Sequence, residues 1–409
     1  MRDQRVFEAY ESERYSGGVH PRTAPGRVGA VAKLAGLAAA APSGARVLEL
    51  GCLRGDNLLA MAAGQAAAEF VGVDFLPAEI DRARASASAA GLANVGFVCA
   101  DLLTFTPPAE SFDYIICHGV FSWVGDDVKE AVLRICRQGL ADRGVALVSY
   151  NTHPGWLHRQ GLRQLLLAAS ARRGGGTRTE RAATVLEVLR GALASRSDAA
   201  SGFLRQEVEG MLGKVGGIFG HDELGPVNDP CYFLQFIDWA TEYELAYVGE
   251  SPWIGLTPST LSQDAWQSLE AAGLGRLERE QLLDFLINRL FRASVLCRAA
   301  DLPPPGPLRL DDLSLETVLR PDGDQARLVP DVELQFRDPG LPAAPVVLAT
   351  RDAPTKAVLW LLGRASQPVA VADLSSQVRQ LIPAESTARL EGVLTELVGR
   401  GIVGAIWQA

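Results

Sequence analysis

Residues 47–59 read "VLELGCLRGDNLL". A short apolar run gives way to a glycine turn and then to an Asp-led stretch with helical spacing. The segment therefore predicts a buried strand, a tight turn and a helix. Such a turn lets backbone approach a ligand closely and aims the first helical N–H groups at its polar atoms. It serves equally well as a plain strand-to-helix connection, so the ligand has to be argued from what lies around it.

Outward from that turn the pattern alternates. "EFVGVDF" (69–75), "VGFVCAD" (95–101), "FDYIICHG" (112–119) and "GVALVSYN" (144–151) read as strands, with helices between them. Pro77 opens one helix and Gly91 closes it, in the usual asymmetry of helix ends. Continuous apolar strands separated by helices predict a parallel sheet covered on both faces. A long helical stretch over 156–213 comes next, then two late strands at 245–250 and 293–298, placed at the open edge of the same sheet. The helical insertion, about 156–228, thus belongs to a first domain over 1–300. The proline-rich "DLPPPGPLRL" (301–310) marks the boundary. Beyond it, 301–409 predicts a hairpin, three helices and a short terminal strand, with a winged-helix-like arrangement. Glu391 and Glu396 on its third helix would meet phosphates badly, which favours a protein partner over DNA. A boundary at 301 also predicts that the tail can be removed without loss of ligand affinity.

Composition narrows the class. The chain has 409 residues, 48% apolar and 21% charged, as in a soluble globular protein. "MRDQRVFEAYESERY" is charged from the start and shows no secretory signal, and no apolar run is long enough to span a bilayer. The expected location is cytoplasmic, with no membrane partner. Six cysteines lack metal or disulfide spacing and read as reduced packing residues; no metal is expected. The net charge of −9 argues against a nucleic-acid partner. Between His158 and Arg196 eight arginines face two glutamates, with "ARRGGGTR" (171–178) expected as a mobile loop; a solvated helical pair is the first reading, an acidic-partner surface the second.

The acids decide the ligand. Glu49 stands two residues before Gly51, Asp74 ends the second strand and Asp101 the third. Asp74 can accept ribose hydroxyls, and Asp101 an adenine amino group. An acid at Glu49 would repel a pyrophosphate but suits an ammonium or sulfonium. Three acids at adjacent strand ends fit a cationic nucleoside, and S-adenosylmethionine is the natural candidate. The turn, the start of its helix and the ends of the next strands supply the expected cofactor residues: Glu49, Gly51, Cys52, Gly55, Asn57, Asp74, Phe75, Asp101 and Leu102.

With these residues the chain resembles the class I S-adenosylmethionine-dependent methyltransferases, with a Rossmann-like seven-stranded sheet. "ICHGVFSWV", "VSYNTHPGW", "GHDELGPVNDPCYF", "LLDFLINRLFRASVLC" and "APTKAVLWLLGRA" are more specifically similar to bacterial lysine methyltransferases of outer-membrane proteins that carry a methyltransferase regulatory region. The resemblance covers almost the whole chain. One departure is Leu53, where such enzymes usually have glycine; a leucine is expected to hold φ negative and to thicken the turn.

The resemblance implies that His118 lines the site as a cofactor residue and binds the methionine amino group through its carbonyl, with a structural histidine as the alternative. His118, Tyr150, His153 and Asp222 are the expected catalytic group, Tyr150 or His153 accepting the amine proton through water. Phe121, Trp123, Asn151, Trp156, Glu223, Asn228 and Tyr232 are the expected substrate contacts; Asn228 as a helix cap and Phe121 as core are the plainer readings. Tyr15, His20 and Pro21 are expected to cover the cofactor. "NDPCYF" resembles a DNA-amino-methyltransferase loop in letters only, since it precedes a later helix. The expected activity is methyl transfer to a protein or peptide amine, lysine first, with the substrate held by the tail or the insertion. The alternatives are a small-molecule or biosynthetic-peptide methyltransferase at nitrogen or oxygen, or a non-catalytic S-adenosylmethionine sensor. Oligomeric state is not legible.

Overall fold

The computed structural model describes residues 17–172, 174–215, 219–251, 263–323, 328–329, 332–340, 346–383 and 385–408; Tyr15 lies outside them. Seven strands form one sheet: β1 Arg46–Leu50, β2 Glu69–Asp74, β3 Val95–Cys99, β4 Phe112–Cys117, β5 Leu140–Asn151, β6 Leu245–Glu250 and β7 Phe291–Arg298. Their order is β3-β2-β1-β4-β5-β7-β6. Strands β1 to β5 run parallel, and β7 lies antiparallel between β5 and β6. The two late strands are therefore at the open edge, as the sequence indicates. Strand order reverses between β1 and β4, and in such sheets ligands bind beyond the carboxyl ends at that point.

Alternation along β1 sorts its side chains. Val47 joins an apolar layer with Leu58, Met61 and Ile80, while Leu48 and Leu50 join the opposite layer with Ile115, Val132 and Phe236. Glu49 shares Val47's side by the two-residue period. There the helices Pro25–Leu34 and Asp56–Gly64 cover the sheet, which brings Asn57 to the carboxylate and Thr23 to Asn57.

The helical stretch over 156–213 divides into Gly155–Arg172, Arg178–Leu193 and Ala199–Leu212, the first break falling at the expected glycine loop, and the short helix Phe219–Asp222 follows. Thr177 and Glu180 form a capping box that restarts the chain after its glycine run. Leu162, Leu166, Leu186, Val208, Met211 and Phe219 give this insertion a core of its own. Its arginines turn largely onto the insertion itself: Arg181 donates to the Ser170 and Gly176 carbonyls at 2.6 and 2.7 Å, and Arg159 pairs with Glu207.

In the tail, β9 (Arg320–Pro321) and β10 (Leu334–Arg337) pair as the expected hairpin, joined by β11 (Val346–Thr350). The three helices are Ala353–Arg364, Val371–Leu381 and Thr387–Gly399. A three-stranded sheet accompanies them, with β8 (Ser314–Glu316) central between β12 (Val369–Ala370) and β13 (Gly404–Ile406). The middle strand thus comes from before the hairpin, not from a wing after the third helix. Among the described residues no helix is long and apolar enough to cross a membrane.

Candidate active site

A cavity of about 500 Å³ opens beyond the carboxyl ends of β1, β2 and β4, within the size range of small-ligand sites. The turn after β1 forms its floor. Gly51, Leu53 and Gly55 all take left-handed backbone, with φ of +73°, +50° and +78°. A Cβ on Gly51 would lie 2.4 Å from Val120 Cγ2, so only glycine leaves the backbone open to the cavity there. Leu53 corrects the expectation of a negative φ. Its N–H donates to Asp74 Oδ2 at 2.9 Å, and that bond holds the leucine in the left-handed region.

Glu49 is buried, and its Oε1 accepts from Asn57 Nδ2 at 2.7 Å, while Oε2 is buried without a partner. Burial pushes its carboxyl up to about 7; the charge of Asp74 adds to this, and the Asn57 bond opposes it. Asp74 accepts from the backbone N–H of Leu53 and, at 3.0 Å, of Leu76. Its carboxyl is raised by burial, against these hydrogen bonds. Asp101 accepts from Leu103 N–H at 3.1 Å. His118 leaves β4 with its Nδ1 buried and unpartnered and its ring 4.3 Å from that of His20. Burial holds its imidazole well below the ordinary value, with His20 and Arg22 adding to the effect, so it is neutral near pH 7.

Of the expected residues, Glu49, Gly51, Cys52, Asn57, Asp74, Phe75, Asp101, Leu102, His118, Trp123 and Asp222 line this one cavity, and His20 joins them. Others do not. Gly55 packs beneath the turn, where a Cβ would meet the Phe97 ring at 2.5 Å. Tyr150 is stacked on Phe236 at 4.2 Å, with its hydroxyl 3.1 Å from Ser294 Oγ, and burial raises its phenol well above the usual range. It is a core residue, as is Phe121, edge-on to Phe236. Glu223 is buried in an ion pair with Lys214. Trp156 stands edge-on to Trp123, outside the cavity wall.

Asn151, His153, Asn228 and Tyr232 form a separate polar group. Asn151 Nδ2 donates to Asn228 Oδ1 at 3.1 Å, and the His153 ring is 5.0 Å from Tyr232. Tyr232, not Asn228, is the N-cap of the helix Phe233–Glu242. The sequence reading missed Arg54, Asp56, Asp127 and His221, which also line the cavity. The Asp56 position at the helix start and His221 beside Asp222 were the available signals. Gly17 lies over the 2.8 Å Arg54–Asp56 ion pair, where a Cβ would be 2.2 Å from Asp56 Oδ2.

The donor set fits a cationic nucleoside. A buried, partnerless carboxylate oxygen suits an ammonium, a glycine cradle admits close backbone approach, and carboxylates stand at successive strand ends. Fold and site together define a class I S-adenosylmethionine-dependent methyltransferase. Residues 47–144 match the family of methyltransferase domains, and residues 218–298 the predicted methyltransferase regulatory domain. PKMT2 from Rickettsia typhi is similar over 96% of this chain and 77% of its own, at 26% identity with a TM-score of 0.80. Its complex with AdoHcy, the demethylated cofactor, matches at 25% identity and the same TM-score. An uncharacterized protein of Rickettsia prowazekii, RP789, is 30% identical over 70% of this chain, which spans about half of that relative's length (52%). The chain thus carries a methyltransferase domain over 47–144 and a predicted methyltransferase regulatory domain over 218–298, on the class I methyltransferase fold.

Proposed function

We propose that the protein methylates an amine of a protein or peptide, lysine first, using S-adenosylmethionine. The cavity's carboxylates carry this reading. Glu49, Asp74 and Asp101 stand at the strand ends, and Asp127 and Asp222 line the same cavity farther along the chain. A site of this charge suits a cationic donor together with an acceptor that arrives as an ammonium. The similarity to PKMT2 over nearly the whole chain supports the same choice.

In this reading Glu49 Oε2 takes the ammonium of the methionine end, Asp74 the ribose hydroxyls and Asp101 the adenine, with Phe75 and Leu102 on the ring. The cofactor supplies an electrophilic methyl on sulfur. The chain's task is alignment, worth roughly 7–11 kcal/mol in well-oriented reactions. An amine near its ordinary pKa of about 10.4 must also release its proton, which passes to solvent before the neutral amine attacks the methyl. His118, neutral and with a free Nδ1, is the group placed to hydrogen-bond the neutral amine. Asp222 and Trp123 hold the incoming cation before that, the indole face adding about 0.5–2 kcal/mol. The tail or the insertion carries the rest of the substrate.

Labelled S-adenosylmethionine mixed with the protein and a cell extract tests the reading. Label in a protein band that disappears with Asp222→Asn supports it. Label confined to small molecules points to a metabolite or biosynthetic-peptide substrate, and tight cofactor binding without transfer to a sensor.

A further inference from the structure

Thr23, His20, Asn57 and Glu49 make a continuous hydrogen-bonded chain. The His20 backbone N–H donates to Asn57 Oδ1 at 2.9 Å. Asn57 Nδ2 donates both to Thr23 Oγ1 at 3.0 Å and to Glu49 Oε1 at 2.7 Å. Thr23 Oγ1 closes the circuit by donating to the His20 carbonyl at 2.9 Å. The carboxamide of Asn57 therefore uses both ends. Its oxygen and one N–H fasten the segment 17–23, whose Gly17, Gly18 and His20 line the cavity. The other N–H fixes one oxygen of Glu49 and leaves the second, buried and partnerless, for a ligand.

We propose that Asn57 is a positioning residue: it fastens the strap 17–23 at the cavity and turns Glu49 so that its second oxygen meets the cofactor's ammonium. This rests on the cofactor reading above and adds a residue that works through Glu49. The titratable groups around Glu49 are Asp74 at the end of β2, Cys52 in the turn and Cys117 at the end of β4, with His20 and His118 on other walls of the cavity. Both thiols are pushed above their ordinary value by burial, His118 stays neutral, and burial with the charge of Arg22 lowers the His20 imidazole below its ordinary value. Glu49 is then the group whose charge changes near neutrality, and the Asn57 bond is what favours its charged form.

The test is titration calorimetry of AdoHcy into the full chain from about pH 5.5 to about pH 8.5, with 5′-methylthioadenosine, which lacks the ammonium, as the control. In the wild type, AdoHcy affinity should fall about tenfold per pH unit below the Glu49 midpoint, while the control stays flat. Asn57→Ala should move that midpoint upward by roughly half a pH unit or more and weaken AdoHcy at neutral pH about fivefold or more. Thr23→Val, which leaves Glu49 untouched, should give a smaller shift in the same direction and serves if Asn57→Ala does not fold. A midpoint unchanged in both variants, with wild-type binding still pH-dependent, overturns the role of Asn57 alone. The same pH dependence with the control compound shows that Glu49 does not meet the ammonium, which overturns it too. If the wild type does not bind AdoHcy, the cofactor reading itself falls.

Discussion

Leu53 and Gly51 show how little of a binding turn is decided by residue type alone. Both have positive φ, yet only Gly51 has Val120 pressed against the space a Cβ would take. A leucine in the left-handed region costs roughly 1–2 kcal/mol, and glycine's extra unfolded-state freedom offsets part of that. Leu53→Gly should therefore change stability by less than about 1 kcal/mol. Gly51→Ala adds a 2.4 Å contact to the same backbone penalty. It should lower stability by about 2–3 kcal/mol in urea unfolding and abolish AdoHcy binding by calorimetry. Glu49 sets a second expectation. Its carboxyl rises from 4.5 to about 7 in the folded chain, so the folded state holds the extra proton between those values. Ligand-free stability must then fall as pH rises through that window, by on the order of 3 kcal/mol in full above pH 7. Glu49→Gln should melt like wild type at about pH 4 and higher than wild type at about pH 8, while losing AdoHcy affinity. Asp74 and Asp101 were legible because each closes an apolar run, and Glu49 because it interrupts one two residues before Gly51. Tyr150 was not, because a strand buried on both faces shows no alternation to say which side a residue takes.

The helical insertion meets the cavity through one short element. Phe219–Asp222 carries His221 and Asp222 into the lining, and Lys214 Nζ holds it from the preceding helix end, 3.1 Å from Asp222 and 2.8 Å from Glu223. Glu223 is fully buried, with its Oε2 unpartnered, so it depends on that ammonium. Lys214→Met leaves the buried carboxylate without its hydrogen-bonded counter-charge, with only the field of Arg163 to oppose it. About 2–3 kcal/mol should be lost, less than for a fully buried pair because Lys214 is partly exposed. Hydrogen exchange should quicken over 219–224, and the acceptor KM should rise while AdoHcy affinity changes less. The glycine run in "ARRGGGTR" marked the first break in the sequence, and the helix restarts after it on the Thr177 capping box. The second break, at the Asp198 cap, reads as ordinary polar sequence, and Phe219 declares itself a core anchor only once three helices have closed around it.

At the scale of the whole molecule, the helix Pro25–Leu34 belongs to two cores. Val28 and Val31 pack in the methyltransferase layer, and Ala30 packs in the core of the tail. Trp407 N–H donates to the Gly26 carbonyl at 2.8 Å, and Lys33 Nζ lies 4.6 Å from the Trp407 ring. At Gly29 a Cβ would be 2.5 Å from Tyr114 Oη and 3.1 Å from Trp407, so the helix fits between sheet and tail only with glycine there. Arg27–Glu316 and Lys33–Asp312 ion pairs flank the contact. The proline-rich 301–310 reads as a clean boundary because sequence shows where a chain is extended, not what later folds back on it. We therefore expect removal of 301–409 to uncover this helix face and loosen the strap 17–23 that leads directly into it. The milder probe is Trp407→Ala, a partly buried indole whose loss should lower stability by about 2 kcal/mol. If the tail steadies the strap, AdoHcy affinity should fall about threefold to tenfold in the same variant, because the bound state must then also fasten the strap. A lower melting temperature with unchanged calorimetric affinity would show instead that the tail supports the helix and leaves the strap alone.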